Sequence, residues 1–329
     1  MKVLVTGGAG FIGSHLTERL VAAGHEVLVL DDMSSGRKAN LEAAIATGRC
    51  RCVVGDIRDR AAVEAACDGR EWVFHLAGRA DIVPSIENPV TYFEVNVTGT
   101  LNVLEAARHH GVRRFIYAAS SSCYGIATTF PTPETAPVQP EYPYALTKAQ
   151  GEELVLHWAQ LYGMPAVSLR LFNVFGPRAR TSGSYGAVFG VFLGQRSRGL
   201  PLTIVGDGEQ TRDFTYVTDV AAAFEAAAES SLTRRVFNVG SGGHYSVNHL
   251  ANLLGGPRET IPKRPGEPDC TFADTTAIRR DLGWTPAVSF EEGVARMVEE
   301  LPEWRSAPAW TPDTIADATK SWFRYLGSK

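Results

Sequence analysis

The chain has 329 residues, of which 44% are hydrophobic and 21% charged, with a formal net charge of -4. That composition suits one large domain or two smaller ones, and its mild acidity excludes nonspecific binding to nucleic acid or to anionic membranes. The five cysteines, Cys50, Cys52, Cys67, Cys123 and Cys270, are odd in number and contain no CxxC pair, so neither a disulfide framework nor a metal site is expected.

In chain order, strand-like Val3–Val5 opens the sequence directly and leaves no room for a signal peptide. No apolar run approaches the ~20 residues needed to span a bilayer. The expectation is a soluble protein of a reducing compartment, the cytoplasm. Gly7-x-x-Gly10-x-x-Gly13 follows, with Phe11 and Ile12 leading into helix-like Ser14–Ala23. Such glycines allow a tight turn, close approach of a pyrophosphate, and a helix N-terminus aimed at the phosphates. The spacing is GxxGxxG rather than GxGxxG, so the turn alone is a weak signal.

The second strand, Val27–Leu30, runs into Asp31 and Asp32. A carboxylate there accepts both ribose hydroxyls of an adenosine and repels a 2′-phosphate, which favours NAD over NADP, although Arg37 and Lys38 lie nearby. Strand Cys52–Val54 leads to Gly55-Asp56-Ile57, where Asp56 and Ile57 suit an adenine contact. Helix-like Ala61–Cys67 precedes strand Trp72–Leu76, whose end, His75-Leu76-Ala77-Gly78, brings Leu76 and Ala77 to the place where a dinucleotide crosses the sheet edge.

Helix-like Val97–His109 and strand Phe115–Ala118 come next, and the strand runs into Ser120-Ser121-Ser122-Cys123-Tyr124. A serine at the C-terminal end of a parallel strand faces the ligand crevice. Helix-like Ala145–Tyr162 starts after Pro143, and Tyr144 and Lys148, four apart, share one face. An ammonium beside a phenol favours the phenolate, a base near neutral pH. Tyr142 and Tyr124 have Leu146 and Thr128 at the same spacing, so neither has that partner. Strand Val167–Leu171 completes a run of apolar strands alternating with helices, which predicts an α/β, Rossmann-type doubly wound parallel sheet covered on both faces. Gly24, Gly111 and Gly163 stand where helices should stop.

Beyond residue 172 the pattern loosens. Gly and Arg accumulate through 176–199, Pro-rich segments appear at 257–268, and Val236–Val239 returns as a strand to the first sheet. The expected organisation is an NAD-binding Rossmann domain at 1–172, joined by about 213–250. A smaller mixed α/β substrate-binding region takes 173–212 and 251–300, and an aromatic-rich tail takes 301–329. That tail, with Trp304, Trp310, Trp322, Phe323 and Tyr325, either packs on the body or forms a subunit contact.

Taken together, TGGAGFIGSHL, LDD, GDIRD, HLAG, NVTGTLNVLEAA, ASSSCYG, YPYALTK, LRLFNVFGPR, GDGEQTRDFTYVTDV and RPGEPDCTFAD carry a family likeness. Over roughly residues 1–300 the chain resembles extended short-chain dehydrogenases/reductases of the NAD-dependent sugar epimerase/dehydratase family, most of all the UDP-hexose 4-epimerases. The resemblance implies that Ser120 hydrogen-bonds the reacting hydroxyl, Tyr144 is the base, and Lys148 binds nicotinamide ribose and lowers the phenol's pKa. It implies that Asn96 supports the cofactor, that Asn173 holds the diphosphate region, and that Arg212 and Arg264 contact the phosphates of a nucleotide sugar, UDP-linked. Thr271, seven residues past Arg264, falls at a gate beside the sugar's 2-substituent; a small residue there admits N-acetyl groups. Glu267 stands where the family usually has Asp.

Related dehydratases carry an Asp-Glu pair after the catalytic hydroxyl, and decarboxylases a Glu two residues after it. Here those positions are Ser121 and Ser122, the latter a substrate-side candidate, which favours simple 4-epimerisation through a 4-keto sugar. Asp81 or Glu134 could supply a carboxylate from elsewhere, and Arg79, Asp81, Arg180 and Ser182 could line the sugar pocket and suit a uronic acid. The family implies a homodimer through Val97–His109 and Ala145–Tyr162, the second bearing the apolar stripe Leu154, Trp158 and Leu161. An NAD-sensing regulator is the non-enzyme reading, disfavoured by the complete Ser120, Tyr144, Lys148 set.

Overall fold

Alternation of branched side chains decides how the first half folds. The computed structural model describes residues 1–179 and 187–327. Its main elements are β1 (Lys2–Thr6), α1 (Phe11–Ala22), β2 (Glu26–Asp31), β3 (Cys50–Val54), α2 (Arg60–Cys67), β4 (Trp72–His75), α3 (Ile82–Glu87), α4 (Thr100–His109), β5 (Arg114–Ser120), α5 (Pro143–Leu161), β6 (Ala166–Leu171), α6 (Val217–Glu229), β7 (Arg235–Val239) and α7 (Lys320–Leu326). The seven strands form one sheet in the order β7-β6-β5-β4-β1-β2-β3. Every pairing in it is parallel.

In β1, Val3 and Val5 join Leu16 and Leu20 of α1 and Phe224 of α6 on one face. Leu4 joins Val103 and Leu104 of α4 and Val155 of α5 on the other. The two-residue period of a strand therefore feeds two cores, one on each side of the sheet. Each of these side chains is fully buried and contributes ~1.5–3 kcal/mol.

The strands match the sequence expectation with ends moved by one or two residues. The helix expected over Val97–His109 differs more. Residues Glu94–Gly99 form a π-helical turn, and the α-helix begins at Thr100. The wider turn carries Asn96, in keeping with the concentration of such turns at functional sites. The catalytic-side helix starts at Pro143, as a proline at the first helical position favours, after an extended Tyr142.

A second apolar cluster lies outside the sheet. It gathers Phe175, Phe189, Phe192, Phe214 and Tyr216 with Val247, Leu250, Phe290, Trp304 and Ile315. The last helix, α7, leaves this cluster and packs against α3 through Trp322, Leu326, Val83 and Ile86.

Candidate active site

Strand order reverses between β1 and β4, which opens a crevice at their C-terminal ends. Gly7 leaves β1 with φ +70, and a Cβ on it would stand 2.7 Å from the amide nitrogen of Ala77, so the two loops close with no room for a side chain. A Cβ on Gly13 would overlap the carbonyl oxygen of Gly7, which lets α1 enter hard against the turn. Gly10 caps α1 without a side-chain acceptor, so no side chain caps the helix N-terminus, the end that favours an anion. Gly13→Ala should cost ~1–3 kcal/mol of stability by overpacking and weaken NAD binding by roughly tenfold. Thermal melting and NADH fluorescence titration check this.

Asp31 is buried at the end of β2; its Oδ2 accepts the amide of Ala9 and its Oδ1 that of Met33, both at 2.9 Å. Burial raises this carboxyl above the ordinary range, and the two amides oppose that. Asp32 is more open, bonds Ser34, and lies 3.9 Å from the Arg79 guanidinium. Arg58 grips Asp56 at 2.6 Å and lowers its carboxyl. Ile57 is buried, and its carbonyl accepts Asn102 Nδ2 at 3.0 Å. Thr6 fastens β4's exit: its carbonyl accepts the amide of Leu76 at 3.1 Å, and its hydroxyl that of Ala77 at 3.2 Å.

Asn96 holds the next loop at both ends. Its Oδ1 accepts the amide of Arg79 at 2.7 Å, and its Nδ2 donates to the Arg79 carbonyl and to Thr147 on α5. A glycine cradle without room for Cβ atoms, an uncapped helix start and an acidic strand end together fit a dinucleotide.

β5 delivers Ser120 and α5 delivers Tyr144 and Lys148 to the same place. Ser120 lies beside the Tyr144 phenol and draws its pKa down, and Ser122 Oγ donates to Ser120 Oγ at 2.9 Å. Lys148 is buried with its ammonium 4.4 Å from the centre of the Tyr117 ring. Burial pushes it down to about 7, against the upward pull of Glu152. Sequence reasoning expects the ammonium to lower Tyr144. Burial instead raises the phenol, Ser120 pulls it down, and the Asp81 carboxylate pushes it up.

Two aromatic neighbours were not foreseen. Tyr142 lies parallel to Tyr144, with ring centres 6.4 Å apart. Tyr92 meets Tyr144 edge-on at 6.5 Å, and its hydroxyl donates to the Ala80 carbonyl. Adjacent Asp81, at φ +85, opens α3. For a tyrosine acting as a base, activity rises as pH passes its pKa. Asp81→Asn removes an upward influence, so the acidic limb of the kcat–pH profile should move to lower pH.

On the other wall, Arg212 donates to Glu267 Oε1 at 2.9 Å and Arg264 approaches Glu267 Oε2 at 3.6 Å. Two guanidiniums far apart in sequence thus converge on one carboxylate. Buried Asp213, bonded to Ser241 and to the amide of Ala273, anchors the residue beside Arg212. Asn173 Nδ2 donates to Thr271 Oγ1 at 2.8 Å, joining another predicted pair. Glu134 is engaged elsewhere in part, its carboxylate accepting the amide of Asn238 at 2.9 Å. Arg180 and Ser182 lie outside the described residues. Among the described residues no cluster of His, Cys, Asp and Glu could hold a metal ion. None of the described helices is long and apolar enough to cross a membrane.

A nucleotide-binding α/β sheet whose crevice carries a Ser, Tyr and Lys defines a class of dinucleotide-dependent enzymes. The chain belongs to the NAD-dependent epimerase/dehydratase family, whose model matches residues 3–240. It is 39% identical over 307 residues to a UDP-glucose 4-epimerase of Mycolicibacterium smegmatis, covering 91% of this chain and 98% of that protein. The solved UDP-glucose 4-epimerase of Thermotoga maritima with UDP-glucose superposes with TM-score 0.86 at 36% identity, over 92% of this chain and 99% of that one. A UDP-N-acetylglucosamine 4-epimerase of Methanobrevibacter ruminantium superposes with TM-score 0.86 at 32% identity, over 91% of this chain and 97% of that one.

Proposed function

We propose that the protein inverts the C4 centre of a UDP-linked hexose by transient oxidation to the 4-keto sugar. C4 has no acidic proton, so direct inversion is difficult and oxidation followed by reduction removes the obstacle. The glycine turn, the start of α1 and Asp31 would hold NAD, which supplies the hydride acceptor and donor. Tyr144 takes the proton of the 4-hydroxyl and later returns it, Ser120 bonds that oxygen, and Lys148 holds the ribose side of the cofactor. Arg212 and Arg264 take the diphosphate in place of their shared Glu267 partner, since a pair of guanidiniums matches two phosphates.

The observation that carries epimerisation over elimination or decarboxylation is the pair of serines beside Ser120. Ser122 is directed at Ser120 through a 2.9 Å bond and no acid follows the catalytic hydroxyl. A uronate is disfavoured because Asp81 places negative charge beside Tyr144 and Arg79 leans toward Asp32. Small Thr271 leaves space for an N-acetyl group. Incubation with UDP-glucose, UDP-N-acetylglucosamine and UDP-glucuronate, followed by NMR and mass measurement, should give an epimer of unchanged mass from one of the first two. Loss of water or of carbon dioxide would overturn the reading.

A homodimer through α4 and α5 completes the proposal. Leu161 and Tyr162 are exposed there, beside half-buried Leu154 and Trp158; sedimentation measures the mass. All five cysteines are free thiols, which suits the cytoplasm, and fractionation tests that.

A further inference from the structure

The aromatic tail has no role in the reaction described so far, yet it ends against the site. Trp322 of α7 is 5% exposed. Its Nε1–H donates to the Pro265 carbonyl at 2.7 Å, and the Arg264 guanidinium lies 5.6 Å from the centre of its ring. One side chain therefore grips the backbone just after Arg264 and the cation of Arg264 itself. On its other side, Trp322 and Leu326 join Ile82, Val83 and Ile86 of α3 and Tyr142 in one apolar cluster. Tyr142 is the residue stacked on Tyr144, and Asp81 stands at the N-cap of α3. Ser321 adds a hydrogen bond to Glu87 at 2.8 Å, at the far end of α3.

The cleft thus has a wall from the sheet side, α3, and a wall from the substrate side, the loop of Arg264, and α7 bridges them. We propose that α7 fixes the separation of these walls and that Trp322 is a positioning residue for Arg264, so that the C-terminal segment sets nucleotide-sugar affinity. The proposal rests on the reading of Arg264 as a phosphate ligand. Its physical basis is preorganisation: a guanidinium held in plane by a ring below it and by Glu267 beside it loses little freedom when a phosphate arrives.

Trp322→Ala should raise KM for the UDP-hexose and the Kd for UDP alone by about tenfold, with kcat changed by less than about twofold and NADH affinity unchanged. Trp322→Phe keeps the ring and should recover most of the affinity. A chain ending at Thr319 should reproduce the alanine variant. Trp322→Leu, which keeps an apolar anchor on α3, carries the same expectation should the alanine variant not fold. Unchanged UDP affinity in these variants overturns the proposal, as does a joint fall in kcat, NADH affinity and melting temperature. Arg264→Ala separates the two levels. If it too leaves UDP binding intact, the nucleotide-sugar reading fails; if it weakens UDP binding while the Trp322 variants do not, only the role of α7 fails.

Discussion

Tyr144→Phe should lower kcat by about 10³- to 10⁴-fold while NADH binding and melting temperature stay near those of the unaltered protein. The expectation follows from what the hydroxyl touches. It lies beside Ser120, in a ring-lined pocket between Tyr142 and Tyr92. The phenylalanine ring keeps both aromatic contacts, so the fold loses at most one polar contact, ~1 kcal/mol. In the proposed mechanism the reaction loses its proton acceptor, and Ser122, the hydroxyl that donates to Ser120, does not replace it. Single-turnover measurement of NADH formation separates chemistry from binding. A variant that oxidises substrate at the normal rate would remove Tyr144 from the role of base and, with it, the mechanism proposed above.

The sheet was legible because a parallel strand buried on both faces reads as a largely apolar run, as β1, β2, β4 and β5 do, and β6 does too apart from buried Ser168 and Arg170. The alternation of strand and helix implies parallel pairing, but the order across the sheet, with β1 between β4 and β2, came only with the structure. The glycine turn was legible by spacing, and the reason for Gly13 needed the geometry, since the clash is with Gly7 and not with a ligand. Arg212 and Arg264 were picked together as contacts for the nucleotide phosphates. Their convergence on Glu267 could not be read from a chain where 51 residues lie between them. Asp81 was picked as a candidate pocket carboxylate, but its positive φ ahead of α3 leaves no mark in sequence. Trp322 was visible only as one of several tryptophans, and its partners Val83 and Pro265 lie far away along the chain. Lys148 illustrates a different limit. Spacing placed it beside Tyr144, but spacing says nothing of burial, and burial dominates both groups.

Glu152 is the residue whose signal was present and passed over. Tyr144, Lys148 and Glu152 recur every fourth position along α5, so a carboxylate shares their inward stripe. Its oxygens accept Arg170 Nε at 3.1 Å and Ser168 Oγ at 2.7 Å. Arg170 reaches on to the Tyr124 hydroxyl at 2.8 Å, and that hydroxyl donates to Asn238 at 2.7 Å. Both members of the ion pair are 5% exposed. Glu152→Gln leaves the Arg170 charge buried without its counter-ion and should cost about 3–5 kcal/mol. Urea denaturation measures the loss. Combining it with Arg170→Met should recover much of that cost, because a buried ion pair replaced as a unit loses its desolvation penalty together with its attraction. The second consequence is catalytic. The value of about 7 for Lys148 already contains the upward pull of Glu152, so its removal lowers the ammonium further. A smaller fraction of Lys148 is then charged at neutral pH, and the kcat–pH profile should change even in the fraction of protein that stays folded. If Glu152→Gln lost stability with its pH profile unmoved, the pair would serve packing between α5 and β6 alone.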